Sequence, residues 1–234
     1  MPGTPETTPA AKQVSDAPSP RRLLSTEKVY EGRIWDVVSD SFQLQETGEA
    51  LTRDYIDHPG AVAVLPMNAA GEILLLKQYR HPVGMDLWEI PAGLLDIEGE
   101  DFVVGAAREL AEEADLAAGT WNVLADFFNS PGSSSEAIRI YLARDLIEIP
   151  HHERHERTDE EAEIEFHWIS LDDAVDSVLA GRLHNPSAVV GILAAAAARP
   201  ALRPGTRIVR AFDYVAPGSL ESSVQALHLS LIHI

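Results

Sequence analysis

The chain has 234 residues, which is enough for one or two domains with a sizeable apolar core. Its formal net charge of −19, from 37 acidic and 18 basic residues, argues against a broad nucleic-acid-binding surface, since such surfaces are basic. The absence of cysteine excludes disulfides, thiolate metal sites and cysteine nucleophiles, and no apolar run approaches the ~18 residues of a membrane span, so we expect no membrane partner.

The N-terminal part is predicted to be a tail followed by a small β domain. Residues 1–22 carry almost no large apolar side chains, so we expect disorder, and the lack of an apolar signal segment predicts a cytoplasmic protein. Residues 23–58 then alternate in hydrophobicity, which indicates a small antiparallel β domain that is too short for a core of its own. The three predicted strands are Lys28–Trp35, Asp36–Leu44 and Leu51–Ile56.

Residues 59–200 are predicted to form an α+β domain, a mixed sheet with helices on both faces. Its predicted strands are 61–66, 72–78, 87–93, 121–129, 137–143 and 164–168, and its predicted helices are 101–114, 170–180 and 185–198. The three histidines in residues 151–163 show no repeated ligand spacing, so we interpret that segment as a solvated charged loop. Residues 201–234 are predicted to be an irregular C-terminal tail.

The first predicted helix of this domain carries an unusual group of carboxylates. Glu109, Glu112 and Glu113 stand at i, i+3 and i+4 and therefore share one helix face. Like charges at this spacing destabilise a helix by about 0.2–0.5 kcal/mol per pair. A divalent cation would offset the repulsion, because hard cations take oxygen ligands. The alternative is a solvated acidic face on which Arg108 pairs with Glu112.

The segment around this helix resembles the Nudix box, G-x5-E-x7-R-E-U-x-E-E-x-G-U, where U is apolar. The matching residues run from Gly93 through Glu100 and RELAEE to Leu116, with two departures. Six residues instead of five separate Gly93 from Glu100, and we expect the extra one in a loop. Asp115 replaces the last glycine, and Asp can adopt the left-handed conformation that ends a helix.

The flanks extend the resemblance to bacterial ADP-ribose pyrophosphatases over about residues 29–198. They are HPGAVAVLP, QYRHPVG, LWEIPAGLLD and NSPGSSSE. The resemblance implies a Nudix αβα sandwich with a mixed sheet, and a small N-terminal β domain that is exchanged across a homodimer. It implies hydrolysis of ADP-ribose to AMP and ribose 5-phosphate. One alternative is hydrolysis of another nucleoside diphosphate sugar, such as GDP-mannose. The other is a catalytically silent domain that binds nucleotide to regulate a partner.

The resemblance also implies a metal centre with two or more Mg²⁺ or Mn²⁺ ions. Its ligands would be the backbone oxygen of Ala92 and the carboxylates of Glu109 and Glu113, while Glu112 bridges or shares a second ion. A water held by metal would attack one phosphorus of the pyrophosphate. The base that accepts its proton is implied to be Glu161, with Glu160 as the rival, and the alternative is that both are only solvated.

Four further residues are predicted to bind substrate. Arg80 suits forked contacts with phosphate or ribose hydroxyls, the alternative being a surface ion pair. Glu89 is predicted to bind ribose or to orient Arg80. The resemblance implies that the small sheets of the two subunits sandwich adenine, and Trp35 and Arg53 suit that task, although Trp35 as a plain core residue stays open. Glu100 and Arg108 are predicted to pair and to position the box helix.

Overall fold

The computed structural model describes residues 14–157 and 163–199, and within them it contains ten strands and three α-helices. The strands are β1 (Arg22–Tyr30), β2 (Asp36–Gln43), β3 (Ala50–Asp57), β4 (Ala61–Pro66), β5 (Glu72–Arg80), β6 (Met85–Glu89), β7 (Ala92–Leu94), β8 (Leu116–Phe128), β9 (Ala137–Glu148) and β10 (Glu165–Ser170). The helices are α1 (Phe102–Ala114), α2 (Leu171–Leu179) and α3 (Pro186–Ala198).

The central sheet lies between two layers of helices. Its strand order is β7-β4-β9-β8, with β4 and β9 parallel and the outer pairs antiparallel. All six residues of β4 are buried. Val62 and Val64 pack in one core with α1, whereas Ala63 and Leu65 pack in another with α2 and α3. This is the predicted αβα arrangement around a mixed sheet. Because helices cover both faces of β4, its sequence is a continuous apolar run.

A second sheet has the strand order β10-β5-β6 and contributes residues to the candidate site. Both of its strand pairs are antiparallel. Ile73 and Leu75 of β5 pack in the core of α2 and α3, and Leu74 packs in the core of α1. The sheet is therefore fixed to both helical layers. Strand β5 ends at Arg80, and strand β6 ends at Glu89.

The predicted N-terminal sheet is present, with order β1-β2-β3 and antiparallel pairing. The prediction of one strand over Lys28–Trp35 was wrong, because β1 begins at Arg22 and ends at Tyr30. A turn at Gly32, whose N–H donates to the Asp36 carboxylate at 3.1 Å, interrupts the extended run. All nine residues of β1 are exposed.

Other boundaries also differ from the sequence prediction. The extended segment 87–93 is divided at Ile90–Pro91 into β6 and β7. β8 begins at Leu116, ahead of the predicted Trp121, because its pairing with β9 continues from Phe128–Ala137 to Leu116–Glu148. Asp101 occupies the N-cap position of α1, but its side chain accepts no capping hydrogen bond.

The helices α2 and α3 begin where the sequence predicts, each with a side-chain cap. The Ser170 side chain accepts from the N–H of Asp173 at 3.1 Å, and that of Asn185 accepts from Ala188 at 2.9 Å. In the described part of the chain, no helix has the length and apolar character needed to cross a membrane. Residues 1–13 of the predicted tail and residues 201–234 lie outside the described residues, and the domain boundaries remain a prediction.

Candidate active site

Helix α1 buries two of the three clustered carboxylates. Its apolar residues Ala106 and Leu110 are fully buried in the core, and this packing fixes the helix rotation. On the adjoining face, Glu109 and Glu113 are only 8% and 6% exposed. A solvated acidic face is therefore wrong for these two residues, whereas the Glu112 side chain retains 36% exposure. Buried carboxylates require partners, since desolvation of an unpaired charge is costly.

The first partner is the backbone of β7. The N–H of Ala92 donates to a carboxylate oxygen of Glu113 at 2.8 Å. Gly93 lies directly against the Glu109 carboxylate, and a Cβ atom at this position would collide with it. The glycine that opens the box motif thus allows a close approach of helix and strand. The structure therefore brings Glu109 and Glu113 to the Ala92–Gly93 backbone, and the contact with Glu113 is made by the N–H of Ala92. The role of the Ala92 backbone oxygen as a metal ligand stays a prediction.

The second partner is Arg108, which contacts three carboxylates. Its Nε and Nη2 donate to the two oxygens of Glu100 at 3.2 and 3.1 Å, as the predicted pair requires. Its Nη1 lies 2.5 Å from Glu109 and 3.4 Å from Glu112. The hydrogen bonds between Arg108 and Glu100 lower the pKa of that carboxyl group and raise the pKa of Arg108. The contact with Glu109 was not predicted, because neighbours at i, i+1 do not face each other on a helix.

Arg80 and Glu89 form a forked ion pair. Arg80 donates from Nε and Nη2 to the two Glu89 oxygens at 2.9 and 2.6 Å. Glu89 is buried, while the Arg80 side chain is 40% exposed. Of the two roles predicted for Glu89, this geometry supports orientation of Arg80. A buried carboxylate that accepts two hydrogen bonds from one edge of a guanidinium fixes the plane in which the other donors of that guanidinium lie.

Trp35 and Arg53 lie in the N-terminal sheet region, whereas the clustered carboxylates lie between α1 and β7. Trp35 is 39% exposed, so the plain-core alternative is wrong for this residue in the single chain. Arg53 is exposed on β3 and donates to the carbonyl of Thr52 at 2.7 Å. Glu160 and Glu161, the two candidate bases, lie outside the described residues.

The donor atoms at the α1–β7 contact fit a hard divalent cation. Glu109 and Glu113 offer carboxylate oxygens beside the Ala92 backbone, and oxygen ligands of this kind suit Mg²⁺ or Mn²⁺. Across residues 14–157 and 163–199, no three His, Asp or Glu side chains form a group that could hold a metal ion. The predicted first ion needs only two such side chains together with a carbonyl.

A further contact that the sequence prediction missed lies at the end of α1. Asp115 adopts the expected left-handed conformation, with φ 56° and ψ 32°. Its carboxylate lies 2.7 Å from Nη2 of Arg157, a residue of the segment expected to be solvated. The Arg157 side chain is only 19% exposed. The one signal for this pair in the sequence was an acidic residue at the glycine position of the box.

Comparisons with known proteins found similar sequences and a similar fold. A family model described as the NUDIX domain matches residues 57–189. The chain is 42% identical over 171 residues to an ADP-ribose pyrophosphatase of Mycobacterium tuberculosis, covering 73% of this chain and 81% of that protein. It is 33% identical over 157 residues to an ADP-ribose pyrophosphatase of Bacillus subtilis, covering 67% and 82%. A solved ADP compounds hydrolase superimposes with a TM-score of 0.59 at 19% identity, covering 76% of this chain and 95% of that one, which shows a shared fold.

The pair of Glu100 and Arg108 predicts a pH-dependent contribution to stability. Because the pKa of Glu100 is lowered in the folded state, its contribution is present above the unfolded value of about 4.3 and is lost as pH falls through the folded value. Glu100→Gln should therefore be less stable than the wild type at about pH 7, and the difference should shrink below about pH 4. Urea unfolding across this range measures the difference.

The matched control is Glu98→Gln, which removes the same charge from an exposed position in the same loop. Its stability relative to the wild type should change little with pH. A stability difference for Glu100→Gln that stays constant from neutral to acid pH would contradict the assigned role of the ion pair.

Proposed function

The chain belongs to the Nudix family, and on that premise we propose that it hydrolyses the pyrophosphate bond of ADP-ribose to AMP and ribose 5-phosphate with a divalent metal ion. The observation that carries this proposal is the burial of Glu109 and Glu113 against the Ala92–Gly93 backbone. Two buried carboxylates beside a strand backbone form an oxygen-rich site for a hard cation. The substrate is taken from relatives that bear the name ADP-ribose pyrophosphatase.

Three groups would hold the first Mg²⁺ or Mn²⁺ ion: the Ala92 backbone oxygen, Glu109 and Glu113. Glu112, which is half-exposed beside them, would bridge to a second ion or share it, so that two or more ions occupy the site. A divalent ion in such a site lowers the pKa of water and stabilises the negative charge that develops on the phosphate oxygens. The positive charge of Arg108 reduces the repulsion between Glu109 and Glu112.

Arg80 would bind the substrate's phosphate or ribose oxygens. Its plane is set by Glu89, and its exposed side chain leaves room for a ligand to approach. Positioning of this kind lowers the barrier because the pyrophosphate is held before the reaction begins.

Trp35 and Arg53 would bind the adenine of a substrate in the neighbouring subunit of a homodimer. Exposed apolar residues in the N-terminal sheet region support this dimer, among them Leu23, Leu24, Val29, Tyr30 and Trp35. A cytoplasmic location remains a prediction.

The first test is AMP release from ADP-ribose with Mg²⁺ or Mn²⁺, compared by kcat/KM with other nucleoside diphosphate sugars. Glu113→Gln should lower kcat by about 10²–10³-fold, the range for loss of one group that stabilises transition-state charge, while the circular dichroism spectrum is kept. Glu98→Gln, with the same loss of charge at an exposed site, should retain activity.

Each of the other outcomes has a definite meaning. No AMP release from ADP-ribose would overturn the substrate proposal, and a higher kcat/KM for GDP-mannose would favour the related sugar-nucleotide hydrolase. Nucleotide binding without any turnover would favour a silent regulator. Full activity of Glu113→Gln would refute the metal assignment.

The catalytic base is tested by two neighbouring substitutions. We propose Glu161 as the base, so Glu161→Gln should lower kcat by about 10²–10⁴-fold and remove the acidic limb of the pH–kcat profile. Glu160→Gln should keep both the rate and the profile. The opposite result would exchange the two assignments, and unchanged profiles in both variants would leave neither residue as the base.

The homodimer proposal predicts complementation between two inactive variants. Trp35→Ala and Glu113→Gln each damage every site when expressed alone. When equal amounts of the two variants are refolded together, half of the dimers would contain one subunit of each variant. In such a dimer one site is intact, because it combines the Glu113 of one subunit with Trp35 of the partner subunit. The other site carries both substitutions. Activity should therefore recover to about one quarter of the wild type. No recovery, or a monomeric mass by light scattering, would contradict the shared site.

A further inference from the structure

The C-terminal end of α1 has an unfavourable residue in its sequence. Asp115 stands in the left-handed conformation that ends the helix, where the box motif has glycine. A side chain at this φ of 56° is sterically disfavoured relative to glycine. Its negative charge also lies at the negative end of the helix dipole. A residue that is unfavourable on both counts requires a compensating partner.

Arg157 is that partner, and it makes three contacts at once. Its Nη2 lies 2.7 Å from an Asp115 oxygen, and its Nε donates to the backbone carbonyl of Glu112 at 3.0 Å. Its guanidinium lies over the ring of Phe166 on β10, with 5.2 Å to the ring centroid. Exposed ion pairs contribute little to stability because solvent screens them, but this side chain is mostly buried between α1 and β10.

The carbonyl of Glu112 links Arg157 to the carboxylate cluster. The last four carbonyl groups of a helix have no partner within the helix. The N–H of Asp115 bonds to Ala111, and Arg157 bonds to Glu112. The backbone turn that Arg157 holds is therefore the turn from which the side chains of Glu112 and Glu113 project. Glu113 is restrained at its other end by the N–H of Ala92.

We propose that Arg157 is a positioning residue for Glu112 and Glu113, and that Asp115 holds Arg157 in place. The pair joins the end of α1 to the segment before β10 by an ionic contact, in place of the plain glycine cap of the box motif. The part of this inference that concerns metal binding rests on the proposed function. Arg157 acts on the metal site through the helix backbone and has no assigned contact with substrate.

The test is a double-mutant cycle with Mn²⁺ binding, measured by calorimetry without substrate, as the readout. Arg157→Ala should weaken Mn²⁺ binding roughly 10–100-fold, the usual cost of losing a group that orients metal ligands. The same change in an Asp115→Gly background should cost clearly less, since glycine ends the helix without strain and leaves no unpaired carboxylate. Arg157→Lys should restore binding only in part, because a single ammonium group lacks the planar fork of donors.

The matched control is Arg154→Ala. Arg154 also faces Asp115, at 3.7 Å, but its Nε donates to the carbonyl of Ile149 and not to the helix. Because the remaining contact with Asp115 is long and solvent-screened, its loss should change Mn²⁺ affinity by less than about twofold.

Three results would overturn the proposal. They are wild-type Mn²⁺ affinity in Arg157→Ala, an equal loss of affinity for Arg157→Ala in both backgrounds, and no Mn²⁺ binding by the wild type. If Arg157→Ala fails to fold, wild-type affinity in Arg157→Lys would overturn it in the same way. Failure of the wild type to hydrolyse ADP-ribose would instead refute the substrate proposal, since the binding measurement contains no substrate.

Discussion

The close approach of α1 to β7 is the constraint on which the candidate site depends. Two carboxylates can be buried there because Ala92 donates its N–H to Glu113 and Gly93 has no side chain to exclude Glu109. The apolar side of the helix fixes this approach, since Leu110 is fully buried in the core that contains β4. One face of α1 therefore packs in the core, and the adjoining face of the same helix contains the carboxylates of the candidate site. A shift of the helix along β7 would move both carboxylates together.

Charge balance explains why Arg108 belongs to this arrangement. Several carboxylates lie at the start and along one face of α1, and one guanidinium contacts three of them: Glu100, Glu109 and Glu112. The local charge remains negative, in a chain whose formal net charge is already −19. An anionic pyrophosphate approaching such a surface would be repelled. A divalent cation bound there would invert the local field, and Arg80 adds a positive group held by Glu89.

The sequence predicted those features that depend on local pattern. Alternating or continuous apolar runs located the sheets, and motif spacing placed Glu109 and Glu113 together. Contacts between distant segments had no such signal. The collision that Gly93 avoids, the contact of Arg108 with Glu109 and the bond from Arg157 to Glu112 all depend on tertiary packing. The start of β1 was missed for a related reason, since its side chains are exposed on both faces and its pattern carries no buried stripe.

The link between the N-terminal sheet and the rest of the protein has a consequence for the site. The N–H of Ile56 donates to Ser133 at 2.9 Å, and the N–H of His58 donates to the side chain of Ser135 at 2.8 Å. Read in sequence, these serines indicate only a turn. In the structure they fix the point at which β3 leaves the small sheet and the chain enters β4. Because β4 pairs directly with β7, these hydrogen bonds connect the end of the N-terminal sheet to the strand pair whose backbone contacts Glu113.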